Sequence, residues 1–367
     1  MTVITVLKKF VLLISLIISP LVVIASEDEI GLNYSGFVYN TTFSDNTFHN
    51  NRNVVALNAD IDYGNIAFRT QVSTHDSLPI RRAVFEFSNT ISEKVEYVYQ
   101  IGRFSRVNSF YNAVLNPPAD YQMAMLPLAG YSYRMFNGSF VLMDGHNFMT
   151  TYKMDNGNLI RARIATGRGV INDQENVQRE VIGKYDQNLR VETDRNNYDY
   201  GLHYDTKEWS LFWSRNDYSS NIGTNSNLKP YKQFEYFYNG AEYHLEKFGV
   251  RYDNQKWVIS GEYGKGVTKS FSKADLKTSQ SMSEDYHIII GNRITENIYL
   301  YSGYSVGFNH TSKTKNFDSF IGTTYNFSPF VMSFEYHSGK GRGWVKYSDT
   351  PSEKTWNSWV ISTSYRF

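Results

Sequence analysis

The chain contains no cysteine. That absence excludes a disulfide framework, a thiol nucleophile and a thiolate metal centre. Proline is scarce, with 8 in 367 residues, so long stretches stay free to pair as strands. Beyond residue 25 no apolar run approaches the roughly 20 residues that a membrane-spanning helix requires. Barrel strands escape that test, because they need only about 9–11 residues with every second one apolar. Neither sign of charge dominates: 37 Lys and Arg stand against 36 Asp and Glu. A broad nucleic-acid-binding surface is therefore not expected. The eight histidines show no HExxH and no pair with ligand spacing on one strand face, so no metal or other cofactor is expected.

Aromatic residues are plentiful instead, with Tyr 29 and Phe 24 beside Gly 25. Such a composition suits strands punctuated by turns, and aromatic belts at two membrane interfaces. The amino terminus reads as a secretory signal. Lys8 and Lys9 precede an apolar run from Phe10 to Ile24, Val23-Ile24-Ala25 supplies modest side chains, and polarity returns at Ser26. Cleavage after Ala25 is expected, which makes 1–25 a signal peptide and 26–367 one exported domain.

Period two runs through the rest. Val55, Leu57, Ala59 and Ile61 alternate with Asn58, Asp60 and Asp62; a Gly64-Asn65 turn follows, then Ile66–Ser73. Further strands are expected over Arg81–Ser88, Lys94–Phe104, Asn147–Asp155 and Leu159–Gly169, and the rhythm continues to the end. About sixteen strands result, joined alternately by tight turns and longer polar loops, without a repeated motif. The pattern predicts an all-β transmembrane antiparallel barrel. In the final strand, Trp359, Ile361, Thr363, Tyr365 and Phe367 alternate with Val360, Ser362, Ser364 and Arg366. One face then meets an apolar medium and the other water.

Trp359, Ile361, Tyr365 and the terminal Phe367 resemble the C-terminal signal of bacterial outer-membrane proteins, with Thr363 a departure from its usual bulky residue. That resemblance implies the outer membrane and recognition by the barrel-assembly machinery. The longest connection, Ser105 to about His146, holds Asn116-Pro117-Pro118 and the apolar stretch 123–130. It is apolar enough to need a surface to lie against. The signal, the even strand number, the terminal phenylalanine and this loop together resemble the general bacterial porins. Gly102-Arg103-Phe104 and Met143-Asp144-Gly145 resemble elements of divergent gammaproteobacterial porin-like families. The resemblance implies a homotrimer and a long third outer loop folded into the lumen.

Strand parity places Arg69, Arg82, Arg161 and Arg163 toward the lumen, since charges facing lipid near the midplane would cost about 2–4 kcal/mol each. These four form the expected pore constriction, with Asp120 of the long loop as an opposing charge and Asp144 as a second loop acid. Rings of basic side chains favour anions in pores. The bland alternative is that the arginines pair with Glu86 and Glu96 in a polar lumen. Arg103 shares parity with outward Ile101 and is expected at the rim. Gly264-Lys265-Gly266 and the glycines from 339 to 343 read as loop-rim segments whose basic residues could meet lipopolysaccharide phosphates.

No serine, aspartate or histidine is singled out as catalytic, and His75-Asp76 reads as a solvated loop pair. The expectation is therefore a passive diffusion channel for small hydrophilic solutes and ions, leaning toward anions, and not an enzyme. Its partners would be the lipid bilayer, lipopolysaccharide and the assembly machinery, with no nucleic acid. A substrate-selective channel, and a plugged surface-binding or hydrolytic barrel, are the alternatives.

Overall fold

The computed structural model describes residues 30–44, 52–74, 80–105, 142–170, 189–193, 197–224, 238–272, 278–311, 313–341 and 355–367. The first half holds β1 Gly31–Phe43, β2 Arg52–Tyr63, β3 Ile66–Ser73, β4 Ile80–Ser92, β5 Val95–Ser105, β6 Leu142–Lys153 and β7 Leu159–Val170. Next come β8 Leu189–Thr193, β9 Asn197–Asp205, β10 Trp209–Thr224, β11 Tyr238–Asp253 and β12 Trp257–Ser272. The chain ends with β13 Thr278–Arg293, β14 Ile298–Asn309, β15 Thr314–Phe327, β16 Phe330–Lys340 and β17 Thr355–Arg366. All lie in one sheet with antiparallel neighbours, and β1 pairs with both β2 and β17. Because β8 and β9 both pair with β10, they are two parts of one wall strand. The sheet is thus a closed barrel of sixteen strands, with no free edge.

Closure uses the final residue. The Phe367 N–H donates to the Gly36 carbonyl at 3.1 Å, and the Gly36 N–H donates to the Phe367 carbonyl at 2.9 Å. The Phe367 ring occupies the space that a Cβ on Gly36 would need. A glycine at this point of β1 therefore lets the terminal ring lie flat across the seam.

Burial alternates along β17 residue by residue, with Trp359, Ile361 and Tyr365 exposed and Val360, Ser362 and Ser364 buried. The same split holds around the wall. Phe85, Phe148, Ile164, Leu202, Phe248, Ile288, Leu300 and Ile321 all point outward and are exposed. An outward coat of exposed aliphatic and aromatic side chains on every side is stable only against an apolar surrounding. Above it, Trp213, Phe248, Tyr263 and Tyr286 stand in register across β10–β13. Two residues farther along each strand, Arg215, Glu246, Lys265 and Glu284 form an outward row of alternating sign. An aromatic line below a charged line is the signature of a membrane–water boundary.

Short turns at 64–65, 93–94, 154–158, 206–208, 254–256, 294–297 and 328–329 gather at the end that carries Phe367. Two expectations need correction. Residues 142–146 belong to β6 and not to the long loop, so Asp144 is not a loop acid. Its side chain shares the outward face with Arg103, which holds it through Nε–Oδ1 at 2.6 Å and Nη2–Oδ2 at 2.7 Å. That bidentate pair is what lets an acid sit on an outward strand position. Gly264 and Gly266 lie inside β12 facing the lumen, with Lys265 facing out, and Gly339 lies inside β16, so none of these three is a loop-rim glycine. Asp120, most of the long loop, residues 1–25 and His75-Asp76 lie outside the described residues.

Candidate functional site: the lumenal wall

The register places Arg69, Arg82, Arg161 and Arg163 on the lumenal face, as parity predicts. They do not form a bare basic ring. Arg69 Nη2 meets Asp62 Oδ1 at 2.6 Å, with Asp60 and Glu86 each at 3.8 Å. Arg82 Nη2 reaches Glu86 only at 3.9 Å. Arg163 donates from Nε to Asn147 Oδ1 at 2.7 Å and from Nη2 to the Ser105 carbonyl at 3.0 Å. Arg161 pairs with Asp205 at 2.6 Å.

These contacts join into a belt across seven strands. Asn33 donates to Asp62 at 3.4 Å, Asp62 holds Arg69, and Arg69 faces Glu86. Gln100 donates to Glu86 at 2.7 Å, Asn147 donates to Gln100 at 2.7 Å, and Arg163 donates to Asn147. A chain of this kind fixes long side chains that would otherwise sweep the lumen. Glu86 lies near Arg69 and Arg82, as the alternative of a self-paired polar lumen has it. Glu96 instead accepts from Lys153 at 2.5 Å.

Eight strands farther around, facing the belt across the barrel, the lining changes character. Glu262 on β12, Asp285 on β13, Asp318 on β15 and Glu335 on β16 all point inward and are buried. His337 lies between two of them, Nδ1 to Asp318 Oδ2 at 2.9 Å and Nε2 to Glu335 Oε2 at 2.9 Å. Tyr301 donates its hydroxyl to Glu335 Oε1 at 2.6 Å, and the Phe320 ring stacks on His337 with centroids 5.2 Å apart. Aromatic rings lie flat along this arc over inward glycines: Tyr301 over Gly322, Phe320 over Gly303, Trp356 over Gly339. Sequence reasoning missed this cluster. The available signal was Glu335-x-His337 on the polar parity of a strand whose other face reads Phe330, Met332, Phe334, Tyr336.

Arg69 and Arg82 keep 21% and 22% of their side-chain surface and Arg161 keeps 53%, whereas Asp318 and Glu335 keep none. Arginines are thus reachable by a passing ion, and the acids opposite them are not. Among the described residues no group of three or more His, Asp or Glu is arranged to hold a metal ion.

No family model and no curated protein matches this sequence. Solved structures do. The outer membrane channel DcaP of Acinetobacter baumannii superposes with a TM-score of 0.56 at 13% identity, covering 92% of this chain and 97% of that one. The anion-selective porin of Comamonas acidovorans gives 0.54 at 10% identity, covering 92% and 100%. OmpT of Vibrio cholerae, an outer membrane protein solved in a trimer form, gives 0.55 at 11% identity, covering 93% and 100%. At such identities the likeness is one of fold, and the fold is that of the outer-membrane porins.

Proposed function

We propose that this protein is an outer-membrane porin, a passive channel through which small hydrophilic solutes and ions diffuse, with a preference for anions. The carrying observation is a closed barrel, apolar outside, whose lumen presents solvated arginines opposite acids that are buried. Asp60, Asp62 and Glu86 on the arginines' own arc are about as open as Arg69 and Arg82, so the lean toward anions rests on the sealing of the carboxylates opposite them. Asp120 would oppose the arginines from the long loop. The fold shared with an anion-selective porin and with a trimeric outer membrane protein supports the channel and a homotrimer. Export would use residues 1–25, and the lipid-facing Trp359, Ile361, Tyr365 and Phe367 would be read by the assembly machinery. The outward basic residues Arg215 and Lys265, just above the aromatic row, suit contact with lipopolysaccharide phosphates in the outer leaflet. No catalytic activity is proposed.

The test is single-channel recording of the refolded mature protein in a planar bilayer under a salt gradient. Stable steps with an anion-favouring reversal potential, moved toward cations in Arg82→Ala, are expected. Silence from protein that is folded by heat-modifiable gel mobility would overturn the channel; cation preference would overturn the role of the arginines. The tight packing around Tyr301, Phe320 and His337 favours, as a second reading, a substrate-selective channel. Saturable block by a single solute would identify it.

A further inference from the structure

A second basic station lies at the short-turn end of the lumen, away from the arginine belt. Arg251 and Asp253 stand two residues apart on the inward face of β11, and Arg293 ends β13 on the same face. One carboxylate serves both guanidiniums: Arg251 Nη2 meets Asp253 Oδ2 at 2.6 Å, and Arg293 Nη2 meets Asp253 Oδ1 at 2.7 Å. Arg293 Nη1 also donates to the Asn254 carbonyl, which ties the guanidinium to the 254–256 turn. The Tyr299 hydroxyl lies within electrostatic reach of both arginines. The Arg293 N–H donates to the Lys256 carbonyl and the Asp253 N–H to the Glu208 carbonyl, so the backbone that carries the cluster is held by two turns.

The charge count here is uneven. Two permanent cations share one anion, while neighbouring Asp205 is already engaged by Arg161 at 2.6 Å. In the adjoining turns, the charges of Lys207 and Lys256 are offset in number by Glu208 and Glu296. One positive charge therefore remains without a match among these groups. All three side chains are partly open, between about a quarter and a third exposed, unlike the sealed acids higher on the same arc. Each guanidinium has five N–H donors, and a single carboxylate occupies only one face of each fork. Spare donors, a surplus charge and a backbone-anchored scaffold are what a small oxyanion needs.

We propose that Arg251 and Arg293, bridged by Asp253, bind a carboxylate- or phosphate-type anion at the inner mouth of the channel. The site acts as an exit station below the arginine belt, and it deepens the channel reading on which its transport role rests. Short turns mark the periplasmic end of such a barrel, so anions should reach the site first from that side.

Inorganic pyrophosphate tests this in two ways. In a planar bilayer with oriented channels, pyrophosphate on the short-turn side should block at a lower concentration than on the opposite side. Arg293→Gln should raise the half-blocking concentration from the short-turn side by about tenfold, as the loss of a charge-assisted fork predicts. Asp253→Asn should lower it, because it removes the competing carboxylate. Outer-side block should hold unchanged in both. Separately, phosphorus NMR of pyrophosphate with the refolded protein in detergent should show line broadening that disappears in the Arg251→Gln, Arg293→Gln double variant. Side-independent block, or broadening indifferent to the double variant, overturns the site. Broadening that is lost in the double variant, from a barrel that conducts no current, supports the site and counts against the channel.

Discussion

The two arcs of the lumen obey one alternation rule and produce opposite surfaces. On β2–β7 the inward positions carry arginines and acids with partly open tips, joined through the buried amides of Gln100 and Asn147. On β12–β17 the inward positions carry glycines overlaid by rings, and carboxylates clamped around His337. Exposure separates the arcs: a partly open guanidinium is felt by an ion in the lumen, and a sealed carboxylate engaged by His337 and Tyr301 is felt mainly by its partners. One arc then serves selectivity and the other holds the wall together.

Breaking the sealed arc should have the largest effect. His337→Leu would leave Asp318 and Glu335 facing each other without the imidazole between them, both fully buried. Removing one member of a buried charged set costs about 3–5 kcal/mol. Urea unfolding in lipid vesicles, followed by tryptophan fluorescence, should show a loss of that order. Adding Glu335→Leu to it should restore part of the stability. A loss under about 1 kcal/mol would mean the cluster is not structural.

Next in size is Gly322→Val. The Tyr301 ring fills the place of its side chain, so the ring must leave the wall and its bond to Glu335 must break. Overpacking of this kind costs about 1–3 kcal/mol. The displaced ring has only the lumen to enter, so unit conductance should fall as well. Unchanged conductance would show that the aromatic coat does not border the water path. In the solvated arc the order of effects reverses. Arg82→Gln removes a cation whose carboxylate stands 3.9 Å away, so unfolding should change by no more than about 1 kcal/mol. Its reversal potential, read under a salt gradient, should still move toward cations.

The split between the arcs was half legible in the sequence. Parity alone turns Arg69, Arg82, Arg161 and Arg163 inward, because outward arginines would face lipid and each strand also offers apolar residues for that face. Turn chemistry at Gly64-Asn65 and Asp155–Asn158 sets the hairpins where they occur. Partners were less legible. Which residue lies opposite Glu96 depends on cross-strand register, and that is fixed by the closed sheet rather than by any local pattern. The start of β6 was misplaced because Asp144 and His146 on an outward face read as loop. Arg103 neutralises the first, and the Tyr99 hydroxyl lies 2.6 Å from His146 Nδ1. The sealed arc was invisible for the same reason: Asp318 and His337 meet only through the β15–β16 pairing.

The smallest expected effect is also the sharpest check on the contrast. Arg161 and Asp205 form a pair as short as many buried ones, at 2.6 Å, yet Arg161 is 53% exposed. If exposure decides what a lumenal charge does, this pair should contribute little despite its geometry. Water competes for the guanidinium, and holding two side chains in one arrangement offsets part of the gain. A double-mutant cycle with Arg161→Gln and Asp205→Asn should give a coupling below about 1 kcal/mol, weakening further in high salt. The corresponding cycle for His337→Leu and Glu335→Gln should give a several-fold larger coupling, insensitive to salt. Equal couplings would mean that the distances, and not the burial, govern the wall. The lumen would then be one electrostatic surface all the way round, and the preference for anions would have to come from somewhere other than the arc of arginines.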